Sequence, residues 1–273
     1  MTRIAVLQMT AGIDPTANAR TLEQAVEQAA AGGAQMLFTP EMSGMLDRDR
    51  PRAAAKIVPE ADSPVLTAVS EAAARAGLWV ALGSLAIRRE DDRWANRSFV
   101  MDGSGAVVAR YDKMHMFDVA LASGETWLES AAYAPGEAVT AVDATPVGKL
   151  GLAVCYDLRF PALFEELGRR HCDVIAIPAA FTVPTGKAHW HVLQRARAIE
   201  ASAFVVAAAQ VGEHEDGRRT YGHSLVVDPW GEVLLDMGGE APGLAFAEID
   251  PARIGEVRAQ LPSLANKRAI PRS

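Results

Sequence analysis

The sequence predicts an α/β fold in which sheets are covered by helices. Three observations carry this. Apolar runs such as Ile4–Met9, Met36–Pro40, Val174–Pro178 and Phe204–Gln210 lack polar alternation, the mark of strands buried on both faces. Helical patterns stand between them. The order β-α-β-α-β-β-β occurs twice along the chain, as a repeat of elements rather than of sequence. Two such halves are compatible with one wide sheet or with two sheets packed face to face, and periodicity does not choose.

The elements follow in order. Ile4–Met9 is a strand. Thr16 or Asn18 caps a helix to about Ala31, with Leu22, Ala25, Val26 and Ala29 on one face and Gly32-Gly33 as its stop. Met36–Pro40 is a short strand, followed by a polar loop, Asp47–Arg52. Pro64–Ala76 is a helix stopped by Gly77, and Trp79–Leu85 is a strand. Arg97–Asp102 and Ala106–Tyr111 form a hairpin across Gly103-Ser104-Gly105. Lys113–Pro146 has little periodicity, a length at which loops are often functional.

The second half runs Leu150–Cys155 (strand), Pro161–Arg170 (helix), Val174–Pro178 (strand), Ala188–Ala201 (helix) and Phe204–Gln210 (strand). A hairpin joins Ser224–Asp228 to Val233–Asp236 across Pro229-Trp230-Gly231. Residues 1–250 read as one domain. The tail 251–273 reads as basic and irregular, either solvated or packed on a partner.

Composition excludes several classes. A net charge of −7 argues against a nucleic-acid partner. No apolar run reaches the length of a membrane span. The N-terminus enters a strand at once, with no room for a signal peptide. Cys155 and Cys172 make no disulfide framework, and a reducing cytoplasmic compartment fits them. No GxGxxG, Walker loop, HExxH or CxxC is present, so no cofactor and no metal is expected. His189 and His191 lie about 200° apart on their helix and cannot share a metal from one face.

Three polar residues stand just beyond apolar strands: Glu41, Lys113 and Cys155. Ligands collect beyond the carboxyl ends of strands in open α/β sheets. Taken singly, these are an ordinary loop carboxylate, a solvated lysine and a small buried thiol. Together they suit one chemistry. A cysteine nucleophile needs a base, which Glu41 can supply. A tetrahedral intermediate needs its oxyanion held, which Lys113 and the Tyr156 N–H can do. His115 is the nearest competing base.

On these residues the chain resembles the nitrilase superfamily of carbon–nitrogen hydrolases. The islands are Thr39-Pro40-Glu41, Tyr111–His115 and Gly151–Pro161, in that order, and the resemblance runs from Ile4 to about Asp250. It implies an α-β-β-α sandwich, a Cys155-Glu41-Lys113 catalytic set and a homodimer. It also implies a second glutamate in the loop after the lysine, which falls on Glu129, with Glu125 as competitor. Thr185–Glu200 and Tyr221–Gly231 resemble the Nit branch, whose members hydrolyse small amides. The run Ala207–His214 followed by Tyr221-Gly222-His223 resembles the members of that branch that act on deaminated glutathione, and the resemblance implies that substrate. Amides of short α-keto acids are the alternative, ahead of N-carbamoyl compounds and nitriles. Many relatives carry an aromatic where this chain has Met42-Ser43-Gly44, which leaves that pocket wall open. A dicarboxylate-like substrate needs a cation, for which Arg159 is the first candidate, in competition with an ion pair to Asp157 or Glu165. Tyr156, Phe181 and Thr185 are the other expected pocket residues. One of Arg195 and Arg197 is expected to face inward, while Trp190 and Trp230 are read as core or dimer residues.

Overall fold

The computed structural model describes residues 1–122, 124 and 126–271. The first half contains β1 (Thr2–Gln8), α1 (Pro15–Ala31), β2 (Met36–Phe38), a short α2 (Arg50–Ala54), α3 (Pro64–Ala76), β3 (Trp79–Arg88), β4 (Trp94–Met101) and β5 (Val107–Asp112). A connecting segment holds the small ribbon β6 (Asp118–Ala120) and β7 (Thr126–Leu128). The second half contains β8 (Ala141–Thr145), β9 (Gly148–Leu152), α4 (Pro161–Arg169), β10 (Val174–Ala176), α5 (Val183–Ala201) and β11 (Phe204–Ala207). It continues with the hairpin β12 (Val211–Glu213) and β13 (Arg219–Tyr221), then β14 (Leu225–Val227), β15 (Val233–Asp236), β16 (Gly243–Ile249) and α6 (Pro251–Gln260).

The repeat is spatial as well as sequential. One six-stranded sheet has the order β16-β1-β2-β3-β4-β5 and the other β15-β14-β11-β10-β9-β8. In each, three parallel strands are followed by two antiparallel ones. The strand β16, which hydrophobic pattern did not reveal, returns from the second half and pairs antiparallel with β1 from Thr2↔Ile249 to Gln8↔Gly243. It ties the two halves together.

Alternation along the strands builds the layers. Ile4, Val6, Met36 and Phe38 belong to a core shared with Leu152, Ala176 and Val206 of the opposite sheet. Their neighbours Ala5, Leu7, Leu37 and Val80 pack against Leu22 and Val26 of α1 and Val69 of α3. A Cβ on Gly151 would meet Leu167 of α4 at 3.0 Å, so that face of β9 carries the helix. The result is the α-β-β-α sandwich.

Several element ends differ from the sequence reading. Asp14 caps α1 through Thr16 N, while Asn18 is buried and ties Gly12 to Gly44. The helix α5 begins at Val183 rather than Ala188, because Pro184 suits its first turn. Residues 251–260, read as irregular, form α6, which buries Ile254 and Val257. Asp250 caps it, and Arg258 donates to the carbonyls of Ser202 and Cys172. Among the described residues, no helix is long and apolar enough to cross a membrane.

Candidate active site

Glu41 follows β2 across Thr39-Pro40. The turn is held against β3: Gly83 N donates to Thr39 Oγ1 at 2.9 Å, Met42 N to Ser84 Oγ at 2.9 Å and Ser84 N to Pro40 O at 3.3 Å. A Cβ on Gly83 would lie 2.1 Å from Thr39 O and 2.2 Å from Pro40 O, so only glycine permits this approach. The β3–β4 register shifts at the same place, between Leu82 and Leu85.

Lys113 follows β5 directly. Its N–H donates to Asn96 O at 2.9 Å, and its carbonyl accepts from Gly136 N at 2.8 Å. Glu129 opens a 3-10 turn after β7, and its Oε2 accepts from Phe117 N at 2.7 Å. The competing Glu125 lies outside the described residues.

Cys155 is not the last residue of its strand. β9 stops at Leu152, and Cys155 opens a 3-10 turn with φ +48°. A left-handed non-glycine residue costs about 1–3 kcal/mol and needs support. Asp157, fully buried, supplies it. Its Oδ2 accepts from Val154 N at 2.9 Å and from Tyr111 Oη at 2.7 Å. Its Oδ1 accepts from His115 N at 3.0 Å and lies 2.7 Å from His115 Nδ1. His115, the competing base, is thus engaged by Asp157 and stacked on Phe160 with ring centroids 3.7 Å apart.

These segments bring four ionisable groups together. Lys113 Nζ lies 3.1 Å from Glu41 Oε1 and 2.8 and 3.1 Å from the two oxygens of Glu129. Asn96, which sequence reasoning did not single out, donates its Nδ2 to Glu41 Oε1 at 2.8 Å and to Glu129 Oε1 at 3.2 Å. This double donation orients the amide, and its Oδ1 is buried without a partner among the described residues. The one hint in the sequence is an asparagine inside a strand, where the type is depleted. Glu41 Oε2 accepts from Ala180 N at 2.8 Å.

The electrostatics follow from this burial. Burial pushes the Cys155 thiol well above its ordinary value, the Glu41 carboxylate pushes it further, and Lys113 offsets only part. Burial and Glu41 both disfavour the thiolate in the resting site. Burial works against the Lys113 ammonium, yet Glu129 and then Glu41 outweigh it and hold its pKa above the usual lysine value.

All four side chains line a cleft of about 980 Å³, as do Tyr156, Arg159, Phe181 and Thr185. Arg159 takes neither partner the sequence offers: Asp157 pairs with His115, and Glu165 with Lys267. Its guanidinium lies 5.3 Å from the Phe181 ring and 5.9 Å from that of Tyr156, with Nη1 3.2 Å from His189 Nδ1. Met42 and Met45 line the wall left open by the sequence, whereas Ser43 and Gly44 are buried behind it.

Neither Arg195 nor Arg197 faces the cleft. Arg195 donates to Gly231 O, and Arg197 lies under the cysteine turn, donating to Leu158 O at 2.9 Å. Trp190 is core, while Trp230 is about half exposed. Helix spacing also missed a tertiary cluster, since His191 meets His223 and Asp236 with ligand-type atoms within 4.8 Å. Both imidazoles are hydrogen-bond partners of the Asp236 carboxylate, at 3.0 and 2.9 Å, outside the cleft.

A double α/β sandwich that gathers a thiol, two carboxylates and an ammonium in one cleft has the parts of an acyl-transfer hydrolase. Comparison with known proteins gives the family. The carbon–nitrogen hydrolase family matches residues 3–259, and the chain belongs to it. It is 39% identical to the deaminated glutathione amidase of Yersinia enterocolitica, over 98% of this chain and 93% of that one. It matches the crystal structure of the C. elegans NitFhit protein with a TM-score of 0.90 and 35% identity, covering 98% of this chain and 65% of that one. Saccharomyces cerevisiae Nit3, a member of branch 10 of the nitrilase superfamily, matches with a TM-score of 0.85 and 27% identity, over 96% of this chain and 94% of that one.

Proposed function

We propose that this chain is a thiol-dependent amidase whose substrate is deaminated glutathione, with Cys155, Glu41, Lys113 and Glu129 carrying the chemistry. The observation behind this reading is the buried set in which Lys113 touches both glutamates beside the Cys155 thiol. The Yersinia enterocolitica relative supports the substrate.

With the thiolate disfavoured by burial and by Glu41, the proton leaves as the sulfur attacks. Glu41 takes that proton while Cys155 Sγ bonds to the amide carbon. The carbonyl oxygen becomes an oxyanion held by the Lys113 ammonium and the Tyr156 N–H. The C–N bond then breaks, the leaving amine takes the proton from Glu41, and a thioester remains. Water, deprotonated by Glu41, attacks the thioester, and the released thiolate recovers its proton. Glu129 and Asn96 keep Lys113 and Glu41 in register throughout. Arg159 grips the carboxylate of the α-keto acyl half. No step requires a metal or an organic cofactor.

The chain acts in this reading as one domain in a cytoplasmic homodimer. Val192 and Ile199 of α5, with Trp230, Val233 and Leu234 of the edge hairpin, are exposed large apolar side chains suited to a second copy. The tail residues 251–260, which form α6, bury Ile254 and Val257 in their own chain.

Mass-resolved hydrolysis of deaminated glutathione beside α-ketoglutaramate tests the reading, with Cys155→Ala as control. Preference for the tripeptide analogue, abolished in the variant, is expected. Preference for α-ketoglutaramate would move the chain to the amidases of short α-keto acids. Turnover surviving in Cys155→Ala would remove the mechanism.

A further inference from the structure

We propose that Arg48 and Arg219 form a second anion subsite of the cleft, separate from Arg159, that binds the terminal carboxylate of the leaving amine. The inference rests on the substrate reading above and deepens it. Deaminated glutathione carries a carboxylate at each end. One belongs to the α-keto acyl half. The other ends the cysteinyl-glycine half, which departs as the amine. Two extended residues reach about 7 Å from the scissile bond. A cleft of about 980 Å³ leaves room for them beyond the acyl half.

The charges at the cleft mouth are unevenly used. Arg52 is engaged by Asp47 through two bonds of 2.7 and 2.8 Å. Arg218 donates to Asp216 at 2.8 Å and lies over the Trp127 ring at 4.9 Å. Of the carboxylates there, Asp49 caps α2 through Arg52 N, and Asp216, paired with Arg218, also accepts Arg48 N at 2.8 Å. Arg48 and Arg219 also line the cleft. Neither has a carboxylate within 4.0 Å among the described residues. Arg219 faces Glu213 in the β12–β13 register, yet the two form no ion pair.

Arg48 is held against the tip of the hairpin that carries Arg219. The Arg48 N–H is bound to Asp216, and a Cβ on Gly217 would lie 3.7 Å from Arg48 Nη2, at the tip of the hairpin that carries Arg219. Two guanidinium forks, Arg219 on that hairpin and Arg48 beside its tip, suit a carboxylate, which accepts paired N–H bonds from each. The chain as a whole is acidic, at −7, so this positive mouth is local.

The test is a substrate-side comparison. kcat/KM is measured for deaminated glutathione and for its C-terminal amide, with wild type and with Arg48→Ala/Arg219→Ala. Loss of one charged hydrogen-bond pair at an exposed site predicts that wild type prefers the free acid by about 10-fold. The double variant is expected to bring that ratio to about one. The conservative pair Arg48→Lys/Arg219→Lys, which keeps the charge and loses the fork, is expected to fall between. Equal hydrolysis of acid and amide by wild type, or an unchanged ratio in the double variant, would overturn the subsite alone. Failure of wild type to hydrolyse either form would remove the substrate reading and the subsite with it.

Discussion

Asn96→Asp probes the neutral amide that bridges the two glutamates of the site. The substitution replaces the Nδ2 donor with an oxygen 2.8 Å from Glu41 Oε1 and 3.2 Å from Glu129 Oε1, at a position 1% exposed. Two unit charges at the shorter distance repel by about 6 kcal/mol at an effective dielectric of about 20. That corresponds to about 4 pKa units, and Lys113 offsets part of it. Burial raises the pKa of the introduced carboxyl further, so it keeps its proton at neutral pH. It then donates one hydrogen bond where the amide donates two. The missing charge-accepted bond is worth about 1.5–3 kcal/mol, which predicts kcat/KM about 10- to 100-fold below wild type.

The sign of the pH dependence follows from proton counting. Above about pH 4 the unfolded chain releases this proton while the folded chain retains it. Stability relative to wild type therefore falls as pH rises, by up to about 1.4 kcal/mol per pH unit, until the raised folded pKa is passed. Thermal melts of both proteins across acid to neutral pH read this directly. Parallel Tm–pH curves together with an unchanged kcat/KM would refute the assignment of Asn96 as the residue that positions the two glutamates.

Three further outcomes are expected. Gly83→Ala drives a Cβ into the carbonyls of Thr39 and Pro40 and should destabilise the fold by about 3 kcal/mol or more while displacing Glu41, checked by denaturant melts and kcat. The free enzyme should lack the thiolate absorbance of Cys155 at neutral pH, with wild type and Cys155→Ala giving the same ultraviolet difference spectrum until the alkaline range. Cys172, pushed up to about 11 mainly by burial, stays protonated through neutral pH and does not confuse that comparison. On the proposed homodimer reading, wild type sediments as a dimer at micromolar concentration and Leu234→Lys with Val192→Lys as a monomer; a monomeric wild type would remove the dimer, and a dimeric variant would move the interface elsewhere.

The parts of this protein legible in the sequence are those written in local periodicity. The alternation of strands and helices and its doubling along the chain follow from which faces are apolar over short windows, and they persist as two equivalent sheets. Glu41, Lys113 and Cys155 could be picked out because each is a reactive residue at the end of an apolar run. The three islands around them carried the family resemblance, and with it the sandwich that periodicity had left open.

The tertiary structure decided what depends on partners distant in sequence. Asn96 meets Glu41 from 55 residues away, and Asp157 joins Tyr111 from 46 and His115 from 42. β16 finds β1 across nearly the whole chain, and His191 meets His223 and Asp236 only because α5 packs beside the β14–β15 hairpin. No local window contains these pairings. They arise when two sheets close on one another and compress distant segments into one buried volume. Desolvation there sets the Cys155 thiol high and selects the amide of Asn96 and the carboxylate of Asp157 to satisfy the groups that closure has buried.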